Sequence, residues 1–209
     1  DYLVSRAVTP GDQGLAQGWL WGLRNAGQND GTEGVDIDAI KAWDTSTGSS
    51  DVIVAVIDTG IRYTHQELST QMWNNPDEIA GNGIDDDNDG YIDNVFGVDT
   101  VNFDGDPMDD NGHGTHCAGT IGAAANDGHA HVGVAWEVSL MACKFLSGDG
   151  YGYTSGAISA IDFAVANGAR VLSNSWGGGG YSQSLYDAIV RARDAGAIFI
   201  AAAGNSGQL

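Results

Sequence analysis

The sequence predicts an α/β protein of three layers, αβα, built on a mostly parallel central sheet. Apolar, β-branched runs alternate with helical stretches from residue 51 to residue 204, the pattern that right-handed crossovers convert into parallel strands. The first run is apolar at every position after its opening aspartate, as a strand covered on both faces must be.

The elements follow in order. "DVIVAVI" (51–57) reads as a buried strand that stops at Asp58-Thr59-Gly60. Upstream, residues 1–50 are loop-rich, with "DIDAIKAWD" as a helical turn or two. Residues 74–112 are acidic and rich in asparagine and glycine, hence loop, and 113–125 is a helix of small residues. "VSLMACKFL" (138–146), "RVLSNS" (170–175) and "AIFIAAAG" (197–204) read as strands. Between them, 155–168 and 182–196 are helices ended by glycine. No repeat or linker interrupts residues 1–209, so one domain is expected.

Composition narrows the function classes. The chain has 209 residues, 42% of them hydrophobic and 17% charged, which is globular rather than disordered. Its 28 Asp+Glu against 8 Lys+Arg leave a net charge of −20. Such a surface argues against nucleic acid and against an anionic membrane as partners, because counterion release would work in reverse. It suits a calcium-binding or salt-exposed protein, and equally a plain solubility charge. Two cysteines, Cys117 and Cys143, make no disulfide framework, and whether they pair stays open. No run resembles a leader or a membrane span, so a soluble, already processed chain is expected.

Working residues of parallel sheets collect at the carboxyl ends of the strands. Asp58 sits at such an end, where the alternative is an ordinary turn or cap residue. "DTG" also occurs in aspartic proteases, but those need two carboxylates sharing one proton, and this chain has one DTG in a βαβ pattern. His113 and His116 are spaced as metal ligands could be, yet no HExxH arrangement or obvious third ligand accompanies them. The better reading makes one of them a base, oriented by Asp58, with Gly112, Gly114, Ala118 and Gly119 letting its helix approach the sheet. His116 is then structural, and Cys117 a small hydrophobe rather than a thiol nucleophile. Asn205, in a glycine-flanked turn after the last strand, is placed to donate to a developing oxyanion.

"GIDDDNDGYIDN" (83–94) sets Asp85, Asp87, Asp89, Tyr91 (through its carbonyl) and Asp93 at positions 1, 3, 5, 7 and 9 of a calcium-loop pattern. Position 12 holds Phe96 in place of glutamate, so this is a partial loop, read as a calcium-binding insertion. Close carboxylates repel unless a cation offsets them. The alternative is a solvated acidic loop, and Asp109 and Asp110 stand equally between ligands and plain surface charge.

Taken together, "VIDTG", "NGHGTHCAGTIG", "SNSWGG" and "AAAGNSG" resemble, in this order, the subtilisin-like serine proteases (subtilases) of bacterial secreted type, over residues 50–209. The resemblance implies Asp58 as triad acid, His113 as general base and Asn205 as oxyanion donor. It implies that Gly148, Asp149, Gly150 and Tyr151, with Ser175, Trp176 and Gly177, hold a substrate peptide by strand addition, and that Ala202 and Gly204 complete the primary pocket. Trp176 stands where many relatives carry a smaller apolar residue. Glu67, after "YTHQ", falls where relatives place a structural calcium ligand, usually aspartate. The family's nucleophile lies in a "GTSMA"-type motif that residues 1–209 do not contain. The expectation is therefore an extracellular, calcium-stabilised serine endopeptidase whose catalytic domain is here represented by its N-terminal two-thirds. The partner that completes it is a C-terminal fragment of the same protease bearing the serine. A catalytically inactive, calcium-dependent peptide-binding module is the rival, and a metallohydrolase built on His113 and His116 a third.

Overall fold

A computed structural model describes residues 8–207. Five parallel strands form one sheet: β1 (Gly48–Asp58), β2 (Gly97–Asp99), β3 (Glu137–Lys144), β4 (Val171–Asn174) and β5 (Ile198–Ala201), in the spatial order β2-β3-β1-β4-β5. Register brings Asp58 opposite Lys144, Val56 opposite Ser173 and Asp99 opposite Lys144.

Period-two alternation along β1 explains the layers. Val54 and Val56 face one side, where they pack with Leu140, Ala142 and Ala118 of α3 (His113–Gly122). Ala55 and Ile57 face the other, against Met141, Cys143 and Leu172 and the helices α4 (Thr154–Ala166) and α5 (Gln183–Asp194). Alanines at 157, 160 and 164 keep α4 low on the sheet. Ser182 starts α5 by accepting from the Leu185 N–H at 3.3 Å. The expected αβα architecture is what forms.

Boundaries depart from the sequence reading in two places. α3 ends at Gly122 rather than near 125, because the Ala124 N–H turns away to the Glu67 carbonyl and the Ala123 carbonyl accepts from Gly133. Residues 74–112 are not loop throughout: β2 lies inside them. Gly97 opens that strand at φ +138°, and a Cβ there would stand 1.8 Å from the Ala142 carbonyl oxygen. A single apolar side chain, Val98, gave no strand pattern to read.

Before β1, two short helices, α1 (Gln13–Ala16) and α2 (Ala39–Trp43), close over the connection 125–136. Trp43 stacks at a tilt on Trp136, 5.1 Å between ring centres, and donates to the Val134 carbonyl. No helix among the described residues is long and apolar enough to cross a membrane.

Candidate active site

After β1 the chain builds β2 and β3 on one side and then crosses to β4 on the other, so a crevice opens where β1, β3 and β4 end. Asp58 closes β1 with its side chain 1% exposed. Its Oδ1 lies 2.7 Å from His113 Nδ1 and accepts the Thr59 N–H at 2.7 Å. A carboxylate oxygen at that distance requires the proton on Nδ1, which leaves Nε2 as the basic nitrogen. The ring is half-exposed, so a base oriented from within looks outward.

Several bonds fix that ring. Thr59 Oγ1 accepts from the Gly114 N–H and donates to Asp109 Oδ1, both at 2.9 Å. Asp109 also accepts the N–H groups of Asn111, Gly112 and Thr115 and the Thr115 hydroxyl. Burial alone would raise its pKa, but these donors, led by the Gly112 N–H, hold it below the ordinary carboxylate value. α3 can come this close only because residue 114 is glycine: a Cβ would stand 2.2 Å from the Gly60 carbonyl oxygen and 3.1 Å from Asp58 Cβ.

Cys117, one turn after His113, has its Sγ 3.9 Å from Nδ1. Burial pushes its thiol pKa up, against a lowering hydrogen bond to Ser175, so it is a neutral thiol near pH 7. Cys143 is buried in the sheet, its pKa also raised by burial, and both cysteines are free. His116 is exposed and joins no cluster of metal-type donors among the described residues.

A cavity of about 560 Å³ runs beside the base, lined by His113, Gly150, Tyr151, Ser175, Trp176 and Gly177 among others. Phe145 and Trp176 meet edge-on, 4.8 Å apart, on its wall. The remaining candidate residues divide. Gly148 stands behind the wall, its carbonyl accepting from Asn111 Nδ2 at 2.9 Å. Asp149 turns away to a neighbouring cavity and accepts from the Ser147 hydroxyl, which lowers its pKa. Ala202, Gly204 and Asn205 follow β5 in an exposed stretch and do not line the cavity. Asn111, Phe145, Gly152 and Tyr153 also line it. Asn111 and Gly152 fall inside the motifs without having been assigned a role, and Phe145 and Tyr153 carried no functional signal.

The acidic loop is also rearranged. Asp85 and Asp87 converge with Glu78, their ligand atoms all within 4.8 Å of one another. Glu78 Oε2 is buried without a hydrogen-bond partner. Asp89 instead accepts from Tyr91 N–H and Asn94 Nδ2, and Asp93 from the N–H groups of Asn82 and Gly83. Linear spacing put Asp85, Asp87, Asp89, Tyr91 and Asp93 in one set. The structure gathers only Asp85 and Asp87 of these with Glu78, which lies before the loop and outside its spacing pattern. Glu67 is 6% exposed, with Oε1 accepting the His131 N–H and Oε2 buried and unpartnered.

The site of this α/β protein is thus a buried aspartate bonded to a half-exposed histidine, beside a cavity at the carboxyl ends of a parallel sheet. The chain belongs to the subtilase family, whose profile matches residues 49–209. It is 35% identical over 208 residues to the thermophilic serine proteinase of Bacillus sp. (strain AK1), covering 100% of this chain and 43% of that protein. It is 33% identical over 172 residues to thermitase of Thermoactinomyces vulgaris (82% and 53%). Subtilisin-like protease 1 of Plasmodium vivax is 37% identical over 153 residues (73% and 24%). The chain thus spans between about a quarter and about half of the length of these relatives.

Proposed function

We propose that this chain is the acid–base portion of an extracellular serine endopeptidase. The observation that carries the reading is the 2.7 Å contact between buried Asp58 and His113 Nδ1. Asp58 holds the imidazole in the tautomer that presents Nε2, and steadies the positive charge formed when Nε2 takes a proton. The proton comes from the serine of the GTSMA-type motif, on a C-terminal segment outside residues 1–209. That oxygen attacks the scissile carbonyl, and Asn205 donates to the resulting oxyanion. The leaving amine then recovers the proton from His113. Substrate lies extended along Gly150–Tyr151 and Ser175–Gly177, with Ala202 and Gly204 closing the primary pocket once the serine-bearing segment is in place.

Calcium is the structural ion of this reading. Glu78, Asp85 and Asp87 offer a hard oxygen cluster with one orphaned buried oxygen, and Glu67 Oε2 offers a second orphan. A cation beside either would offset buried negative charge; it takes no part in the reaction.

The reading is tested with a fluorophosphonate on the protein carrying the serine-bearing segment. Peptide hydrolysis should be abolished, with the label on that segment's serine. Peptide binding without hydrolysis or labelling would identify the inactive module instead.

A further inference from the structure

Lys144, the last residue of β3, is 2% exposed and heads the fully buried side chains in size. Burying an ammonium group is costly unless its charge is paired and its donors are all used. Here the three donors meet three acceptors: the Thr59 carbonyl at 2.8 Å, Asp110 Oδ1 at 2.6 Å and the Leu146 carbonyl at 2.9 Å. A methionine would fill the same volume without the desolvation penalty, so packing alone does not account for a lysine. What an apolar side chain cannot supply is direction.

Each acceptor belongs to a different working segment. Thr59 follows the acid Asp58, Asp110 sits in the turn that delivers His113, and Leu146 opens the stretch that reaches Tyr151 in the cleft. Neighbouring bonds join the same three pieces. The N–H groups of Phe145 and Leu146 both donate to the Asp58 carbonyl, at 3.0 and 3.2 Å. Asn111 Nδ2 donates to the Gly148 carbonyl. Lys144 is the point at which acid, base turn and cleft wall meet.

We propose that Lys144 is a positioning residue that sets the substrate-lining segment 145–152 in register with the Asp58–His113 pair. The proposal rests on the protease reading above. Without the ammonium, the buried Thr59 carbonyl and the partly buried Leu146 carbonyl lose their donor and Asp110 loses its partner. The segment and the base turn can then shift independently, and a displacement near 1 Å is enough to lower rates by up to ~10²-fold.

The test compares Lys144→Met with the wild type in the serine-bearing protease, counting competent sites by active-site titration. Two substrates are used: an ester too short to reach Gly150–Gly152, and an extended peptide that spans them. Per competent site, kcat/KM for the extended peptide should fall about tenfold further than for the ester. An equal fall on both substrates would overturn the proposal, because a purely structural role lowers only the number of competent sites. Asp110→Asn alters an exposed carboxylate and guards against misfolding of the first variant. It should move the ratio in the same direction by a smaller factor, and an unchanged ratio there would also contradict the proposal. Should the wild type hydrolyse no peptide, the protease reading fails. The affinity of an uncleavable extended peptide then decides on Lys144: weaker binding by Lys144→Met supports the role, equal binding refutes it.

Discussion

Residues 83–94 and 108–116 are both rich in aspartate, asparagine and glycine, yet they contain their negative charge to different degrees. In the second, Asp109 is surrounded by backbone N–H groups and two hydroxyls, and its pKa is lowered. In the first, Asp85 and Asp87 turn toward Glu78, whose Oε2 has no partner. Asp89 beside them has a raised pKa, from burial first and then from the charges of Asp87 and Asp85. One loop satisfies its carboxylates with protein donors; the other leaves a buried carboxylate oxygen unpartnered, which is what the calcium proposal rests on. Composition cannot tell these apart. Both loops turn N–H groups onto their carboxylates, those of Asp89 and Gly90 onto Asp85 and that of Asp86 onto Glu78 Oε1. What separates them is the orphaned Glu78 Oε2.

Of the changes that test this contrast, Asp109→Ala is expected to have the largest effect. It strands the donors of Thr59, Asn111, Gly112 and Thr115 together, and unfolding free energy in urea should drop by about 3 kcal/mol. A loss below about 0.5 kcal/mol, the range of an ordinary surface change, would mean that the donors are not what holds the turn. Removal of calcium by a chelator should act on the acidic loop and leave the Asp109 turn unaffected. At about a hundredfold excess of ion over its dissociation constant, bound calcium adds about 2.7 kcal/mol. The thermal midpoint should therefore fall on chelation and recover on resupply, with Glu78→Gln reducing that response. A chelator response unaltered in Glu78→Gln would take this cluster out of the account.

The smallest effect is in the pH dependence without metal. Asp109, with its folded pKa lowered, stabilises the protein above the ordinary carboxylate range, and that contribution is lost as pH falls through the folded pKa. Asp89, with its folded pKa raised, has the opposite sign. Its charge opposes folding above the folded pKa, and the opposition fades as pH falls toward the ordinary value. Mild acidification of the metal-free protein should first stabilise it slightly, and stronger acid should then destabilise it. Asp89→Asn should remove the first phase and leave the second, as thermal midpoints between pH 7 and pH 3 would show.

The layers were legible in the sequence because period-two burial and glycine-ended helices are local signals, and β1, β3, α4 and α5 formed within a few residues of expectation. The Asp58–His113 contact was legible because a strand end and a helix start are fixed points of such a fold. Three features were not. β2 is held by one close backbone approach at Gly97 rather than by a pattern of side chains. Glu78 joins Asp85 and Asp87 only when the chain folds back, and Lys144 reads as a strand-end lysine until its three acceptors converge on it. Asn205 is a different case: β5 leaves Ile198 and Ile200 more than half-exposed, and the turn after it is positioned by no contact to the cleft among the described residues.

In the proposed mechanism Asp58 gives His113 its tautomer and thereby its basicity at Nε2. Asp58→Asn keeps the shape but can donate to Nδ1, which turns the basic lone pair inward. In the serine-bearing protease, kcat should fall by ~10⁴ at neutral pH with KM little changed, a magnitude carried over from subtilisin and its mechanistic counterparts. A kcat within about tenfold of the wild type, a difference of only ~1.4 kcal/mol in barrier, would contradict the account.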